Sequence, residues 1–397
     1  VPKELRKALR SEIKGADSRI RRERREYELQ MTRISALQPT DELREYLDSV
    51  VFMNVQKEEC HLTDLQKEDL GRVMQKRYAL LNWQQGSGKT AAAFFYGRRL
   101  LETGKVRNVF VLAPALAVNL TWIPFLTNNS VPFVNIKTKK DIESVTDGLF
   151  VVVSISMIGP LKRELMELTR KTLKNKACLL FDESDEITNP SSKRTKATLD
   201  IFRRLRYKLL CTGTTTRNNI GELYSQIELL YNNSCNMTNW CRYRYRYNKD
   251  GELECEDNPG YGRPFPPRGG SVQFNQCFCP GKTTVFGIEK FNQDIYNADE
   301  LREISGCTIT TRKFEEFAGK KYSIDNVKVD PSDAEMKVYD KIMNELQTIA
   351  PLYFRETGDA RKDAALRMIR TIQLLIKSCS TPHLMPGYDS GELPTKT

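Results

Sequence analysis

The sequence predicts an α/β lobe, a mainly parallel sheet flanked by helices. Three observations carry this. Between about Leu62 and Leu230, short apolar runs rich in β-formers alternate with helical stretches, the pattern of strands joined by crossover helices. One run, Tyr78 to Trp83, leads into Gly86-Ser87-Gly88-Lys89-Thr90 and then a helical stretch, Ala91 to Leu101. Another, Cys178 to Phe181, ends in Asp182-Glu183. Parallel strands all end on one edge of the sheet, so ligand chemistry collects in the turns that follow them.

The chain has 397 residues, more than one ordinary domain of roughly 100–200 residues. Four segments are expected. Residues 1–50 read as a charged amphipathic helix, with Leu5, Leu9, Ile13, Ala16, Ile20, Tyr27, Met31 and Ile34 at steps of mostly three and four. The periodic stretch from Leu5 to Ile34, about thirty residues, would run about 45 Å as one rod at 1.5 Å per residue. Residues 51–231 form the α/β lobe, with further strands expected at Val109 to Ala113, Phe150 to Val153 and Lys208 to Cys211. Residues 232–297 are an irregular insertion rich in Gly, Pro, Tyr, Arg and Cys. Residues 298–397 end the lobe with strands at Cys307 to Arg312 and near Tyr322 to Val329. They continue as helices from Asp333 to Ile349 and from Ala360 to Cys379.

Composition excludes several classes. Hydrophobic residues make up 40% and charged residues 28%, a globular balance foreign to collagen-like, mucin-like or wholly disordered chains. The longest apolar stretches, Val109 to Val118 and Leu149 to Ile158, fall short of the ~20 residues of a membrane-spanning helix. No secretory leader opens the chain, and ten Cys over this length are no disulfide scaffold. A cytosolic location is therefore expected, or a nuclear one in a eukaryote. The absence of an initiator Met and the abrupt end at Thr397 read as a fragment of a longer protein. Lys plus Arg number 62 against 51 Asp plus Glu, and the net charge of +11 favours a polyanion partner.

The chemistry is concentrated in a few turns. Gly86 and Gly88 let backbone N–H groups converge on phosphate oxygens at a helix N-terminus, with Ser87 between them. Lys89 would reach the β- and γ-phosphates of ATP, and the Thr90 hydroxyl would ligand Mg²⁺. The first Gly of the full phosphate-loop pattern is replaced by Trp83. The plain alternative is a Gly-rich turn with an incidental Lys. Adjacent carboxylates at a strand end are unfavourable without a cation or a proton to take up. Asp182 would hold Mg²⁺ through water, and Glu183 would act as general base on the attacking water. The alternative is a solvated acidic loop. Thr212-Gly213-Thr214 end another strand, where their hydroxyls can bond the acidic turn or lead toward nucleic acid. Upstream, the Gln66 amide can donate and accept at once, which suits an adenine edge.

In this order the elements resemble the Swi/Snf-type ATPases of helicase superfamily two, in particular their first RecA-like lobe. Leu62-Thr63-Asp64-Leu65-Gln66-Lys67 is similar to that family's glutamine element, and Gly86 to Thr90 to its motif I. Val111-Leu112-Ala113-Pro114-Ala115 with Trp122 resembles motif Ia. Asp182-Glu183-Ser184-Asp185 followed by Asn189-Pro190-Ser191-Ser192 resembles the acidic box and its trailing Asn-x-x-Ser. Thr212-Gly213-Thr214 with Arg217-Asn218-Asn219 and Glu222-Leu223 resembles motif III. Thr310-Thr311-Arg312-Lys313 and Ser390-Gly391-Glu392-Leu393 are similar to the entry and exit of the inter-lobe region. The resemblance implies an ATP- and Mg²⁺-dependent translocase on double-stranded DNA. It also implies that Pro114, Asp185, Thr212, Gly213 and Thr214 couple nucleotide to nucleic acid, and that a second RecA-like lobe supplies arginine fingers. Asp185 stands where the family usually has His, which puts that contact in doubt. Two other functions compete: a non-motor nucleotide-binding scaffold with vestigial catalysis, and a small-molecule phosphate-loop kinase. Intact Lys89, Thr90, Asp182 and Glu183 oppose the first, and the Leu-Gln element and Asn-x-x-Ser trail oppose the second.

The insertion carries two further patterns. Cys235, Cys241, Cys255, Cys277 and Cys279 lack paired C-x-x-C spacing. Four thiolates among them would hold Zn²⁺; the alternative is unliganded cysteines in a compact subdomain. Arg242-Tyr243-Arg244-Tyr245-Arg246-Tyr247 alternates at period two. An exposed Arg face would suit phosphates; the alternative is a half-buried hairpin strand.

An arginine finger contributes about 10³–10⁵ in rate in phosphoryl transfer, so this chain alone is expected to hydrolyse ATP poorly. Turnover measured beside a longer version carrying a second lobe checks this, and full DNA-stimulated turnover from the chain alone would refute it.

Overall fold

The computed structural model describes residues 21, 24–232, 239–248, 250–263, 265–266, 269–283, 289–291, 294–318, 328 and 330–388. It divides into two compact units, Val1–Lys320 and Lys321–Thr397. The expected strand near Tyr322 to Val329, the inter-lobe exit at Ser390 to Leu393 and Cys235 lie outside the described residues, as does the helical pattern before residue 21.

In the first unit a small antiparallel hairpin, β1 (Val51–Met53) with β2 (Glu59–His61), precedes the main sheet. The sheet strands follow: β3 (Tyr78–Trp83), β4 (Asn108–Ala113), β5 (Phe133–Ile136), β6 (Phe150–Ser154), β7 (Ala177–Asp182) and β8 (Tyr207–Thr212). The insertion adds two antiparallel pairs, β9 (Tyr243–Tyr247) with β10 (Leu253–Asp257) and β11 (Gly281–Thr283) with β12 (Glu289–Phe291). β13 (Ile309–Arg312) completes the main sheet. Its seven strands lie in the order β13-β3-β8-β7-β4-β6-β5, and all its pairings are parallel. β4 and β7 are buried along their whole length, as expected of strands covered on both faces.

Strand order matters more here than strand count. The chain leaves β3, passes two places to β4, and returns to fill the gap with β7 and β8. The ends of β3, β8 and β7 therefore lie side by side. β5 was not anticipated from sequence: Phe133–Ile136 is only four residues long and partly buried at the sheet edge, so its apolar signal is weak.

The N-terminal segment departs from a single rod. Residues 24–31 are helical, but Ile34–Ala36 forms a 3₁₀ turn. A separate helix, Asp41–Ser49, starts after Pro39 with the Thr40 side chain accepting from Leu43 N–H. Lys76 fixes the first helix to the sheet by donating to the carbonyls of Leu29, Gln30, Thr32 and Cys307.

The insertion packs into the lobe. Phe265, Phe274 and Phe278 share the core with Tyr224 and Ile227 of the helix Leu223–Tyr231. The described cysteines form no zinc site. Cys241 and Cys277 hydrogen-bond each other, and Cys277 also contacts Asn239 and Asn258. The Cys279 thiol donates to Asn219 and Asn275, while Cys255 is exposed on β10 opposite Tyr245. Among the described residues no group of three or more His, Cys, Asp or Glu is placed to hold a metal. The Arg face of β9 is answered from within, because Arg244 and Arg246 both pair with Glu256 on β10, at 2.7 and 3.6 Å.

In the second unit, helices Asp333–Arg355 and Gly358–Ser380 form a hairpin. Ser332 and Glu335 make a reciprocal capping box at its start. The first helix runs past the expected Ile349 and through Pro351.

At the start of β8 a buried lysine gives a testable consequence. Lys208 Nζ donates to the carbonyls of Arg203 and Leu229, each at 2.7 Å, and burial pulls its pKa down to about 7. The unfolded chain holds that proton up to about pH 10.4. This group's contribution to stability is therefore present at high pH and lost as pH falls through 7. Denaturant unfolding from pH 7 to 10 should show the wild type gaining stability relative to Lys208→Met as pH rises. A pH-independent difference would contradict it.

Candidate functional site

The site begins where β3 ends. Gly86 and Gly88 have φ of 82° and 79°, a region other residues rarely adopt. Both are also sterically enclosed. A Cβ on Gly88 would stand 2.4 Å from Gln66 Nε2, and one on Gly86 would stand 3.0 Å from the Phe314 ring. Gly88 caps the helix Lys89–Glu102, whose first N–H groups face the turn. Lys89 is buried and donates to the carbonyls of Trp83 (2.8 Å) and Gln84 (3.2 Å), and the Ser87 hydroxyl donates to Gln84 O at 2.6 Å. Trp83, in place of the first loop glycine, is fully buried and its ring meets Phe317 at 5.0 Å.

Gln66 sits against this turn. Thr63 and Gln66 form a capping box at the start of the helix Asp64–Val73. The Gln66 Oε1 accepts from Thr63 N–H at 2.8 Å, and its Nε2 donates to Ser87 O at 2.8 Å. Each end of the amide makes a hydrogen bond within the protein, so Gln66 braces the phosphate-type turn.

The acids arrive from β7. Asp182 is buried, and its Oδ2 accepts from the Trp122 indole N–H at 2.9 Å. Burial pushes its carboxyl up, while the Trp122 bond and the Lys89 charge pull it partly back. Glu183 has φ of 54°, a strained backbone for a side chain of its size, and is partly buried. Burial, then the Asp182 charge, push its carboxyl up as well. Gln66, Gly86, Gly88, Lys89, Thr90, Pro114, Asp182 and Glu183 all line one cleft of about 830 Å³. That volume lies within the ~300–1,000 Å³ of small-molecule pockets. Backbone donors, a buried ammonium, a hydroxyl and two reluctantly charged carboxylates suit a polyphosphate with its cation.

β8 closes the arrangement. A Cβ on Gly213 would stand 3.7 Å from Gln85 N and 3.9 Å from Lys89 Nζ, so the Thr-rich turn touches the phosphate-type turn. Thr212 does not bond the acids. Its hydroxyl accepts from Thr214 N–H and donates to Thr214 O. The link to the acidic turn runs instead through Arg217, which donates to Asp185 Oδ2 from Nε at 3.0 Å, and through Gln226. Gln226 accepts from the Ser184 hydroxyl and donates to Thr215 O.

Sequence reasoning missed this bracing. Arg217 is separated from Asp185, and Gln226 from Ser184, by the whole of β8, and Trp122 had no partner until Asp182 met it. The end of β13 is a further case. Arg312 makes a two-pronged pair with buried Asp69 at 2.8 and 2.9 Å, and its carbonyl accepts from Gln84 N–H at 3.1 Å. Phe314 N–H then donates to the Gln84 side chain at 2.7 Å.

Residues 26–217, just under half the chain, match the family model described as type III restriction enzyme, res subunit (ResIII). Among solved structures, this chain is similar to the Sulfolobus solfataricus SWI2/SNF2 ATPase core in complex with dsDNA. That match has a TM-score of 0.46 and 17% identity over 83% of this chain and 60% of the other. The Sulfolobus solfataricus SWI2/SNF2 ATPase core domain gives 0.42 and 18%, over 83% and 59%. The UvsW helicase from bacteriophage T4 gives 0.36 and 14%, over 47% and 64%. This chain thus spans less than two thirds of each of these chains. No curated protein sequence matches it. No described helix is long and apolar enough to cross a membrane.

The raised carboxyl of Asp182 fixes a sign. A folded pKa above the unfolded one favours folding below the usual carboxylate range, and that benefit is lost as pH rises through the folded pKa. Asp182→Asn keeps an acceptor for Trp122 and removes the charge. It should raise the melting temperature of the ligand-free protein at pH 7 by a few degrees, and the gain should vanish below about pH 4. An unchanged or lowered melting temperature at pH 7 would count against a compressed, charge-strained site.

Proposed function

We propose that this chain is the ATP-binding lobe of a Swi/Snf-type, DNA-dependent ATPase that moves on double-stranded DNA together with a second RecA-like lobe. The observation that carries the ATPase part is the meeting of Lys89, Thr90, Asp182 and Glu183 in one cleft. The DNA partner is supported by the net charge of +11 and by the order of motifs from Gln66 to Leu230.

In this reading the Gly86–Lys89 turn and the first N–H groups of the helix Lys89–Glu102 hold the phosphates. The Lys89 ammonium leaves its carbonyl partners to bind phosphate oxygens. Mg²⁺, when bound, supplies charge neutralisation at the triphosphate, and Thr90 and Asp182 are the residues that would hold it. Glu183 takes a proton at its carboxylate from the attacking water, and its raised pKa suits that task near neutral pH. Arg217, Asp185 and Gly213 pass the state of the cleft to the Thr-rich turn, where nucleic acid would be sensed. The Asp185–Arg217 pair takes the place of the His contact usual in the family.

Glu183→Gln should keep nucleotide affinity and lose about 10²–10⁴ in turnover, the usual worth of a general base. Lys89→Ala should lose nucleotide binding itself. In the protein joined to its second lobe, turnover should fall with pH through a group titrating above the ordinary glutamate value of about 4.3. Measured turnover unaffected by Glu183→Gln would remove the hydrolytic reading and leave only nucleotide binding.

A further inference from the structure

The opposite edge of the sheet holds a second cavity, of about 440 Å³, at the starts of β3 and β8. A six-residue strand spans about 20 Å, so this cavity is well separated from the nucleotide cleft. Arg77, Arg203, Arg204, Arg206 and Lys208 line it, and Glu26 is the one carboxylate among its lining residues. Glu26 pairs with both Arg77 and Arg206. Arg203 reaches Glu228 only at 3.5 Å, and its Nε is buried with no partner among the described residues. Arg204 is exposed and makes no ion pair among the described residues. Nearby Arg170 feels both Arg203 and Arg204, and burial with that repulsion lowers its pKa. Guanidiniums crowd together in this way at an energetic cost that a bound polyanion removes. Tyr27, on the helical segment 24–31, lines the same cavity with its side chain 48% exposed.

We propose that this cavity is a second site for a nucleoside phosphate, with the arginines holding phosphate oxygens and the Tyr27 ring carrying the base. Planar guanidiniums match phosphate geometry in pairs, and aromatic faces stack bases of any identity. Glu26 shows that the pocket already accepts an anionic oxygen group in contact with two of these arginines. The ligand chemistry is shared by a free nucleotide and by the 5′-phosphorylated end of a single strand. The site makes no use of Lys89, Asp182 or Glu183, so it stands or falls apart from the ATPase reading.

The experiment is ADP binding by equilibrium dialysis to the full chain carrying Lys89→Ala, which disables the cleft. One ADP site should remain. Arg204→Glu or Tyr27→Ala, both at exposed positions that leave the core intact, should each weaken it by about tenfold, the loss of one charge-assisted contact or one stacked base. Circular dichroism of each variant confirms that it is folded. Oligothymidylate with a 5′-phosphate that displaces this ADP better than the unphosphorylated strand supports a strand end as the ligand. Failure of both strands to compete supports a free nucleotide. No ADP bound to the Lys89→Ala protein, or binding indifferent to Arg204→Glu and Tyr27→Ala, would overturn the proposal.

Discussion

The meeting of a buried ammonium and a buried carboxylate governs this molecule. Lys89 and Asp182 come from strands that are not sequence neighbours, and they share a cleft because β8 alone separates β3 from β7 in the sheet. Burial disfavours the Asp182 charge there. Lys89 turns back onto the carbonyls of its own loop, and Asp182 leans on the Trp122 indole.

The rigidity that keeps this tension in place comes from bracing on several sides. Gln66 grips the phosphate-type turn through the Ser87 carbonyl, and its helix is pinned in turn by the Asp69–Arg312 pair. The segment leaving β13 grips the other side through Gln84 and the Phe314 ring over Gly86. The Thr-rich turn is coupled separately, through Arg217 and Gln226.

The other edge of the sheet follows a similar logic with the opposite sign. Lys76 and Lys208 are buried among carbonyls, and several arginines crowd the starts of β3 and β8. The insertion, in contrast, neutralises itself. Its Arg-Tyr strand lies against the acidic strand β10, and its aromatic rings extend the lobe's core. Of its described cysteines, Cys241, Cys277 and Cys279 are engaged with each other and with asparagines.

The strands that carry the chemistry were legible in the sequence because each is a short continuous apolar run closed by a turn, and Tyr78–Trp83 was read to the residue. Gly86, Gly88, Lys89, Thr90, Asp182 and Glu183, which line part of the cleft, also stood out in the sequence, since glycine, lysine and paired acids in those turns have few other uses. β5 was not legible, because a four-residue edge strand buries too little to leave a pattern. Nor was the single N-terminal rod correct, because helical periodicity continues through Ile34 while Pro39 and the cap at Thr40 break the chain. What Gln66, Trp122, Arg217 and Arg312 touch was decided only in three dimensions. Local sequence sets which backbone a segment prefers. The partner of a polar side chain depends on which distant strand lies beside it, and strand order is fixed by how the whole chain buries its core.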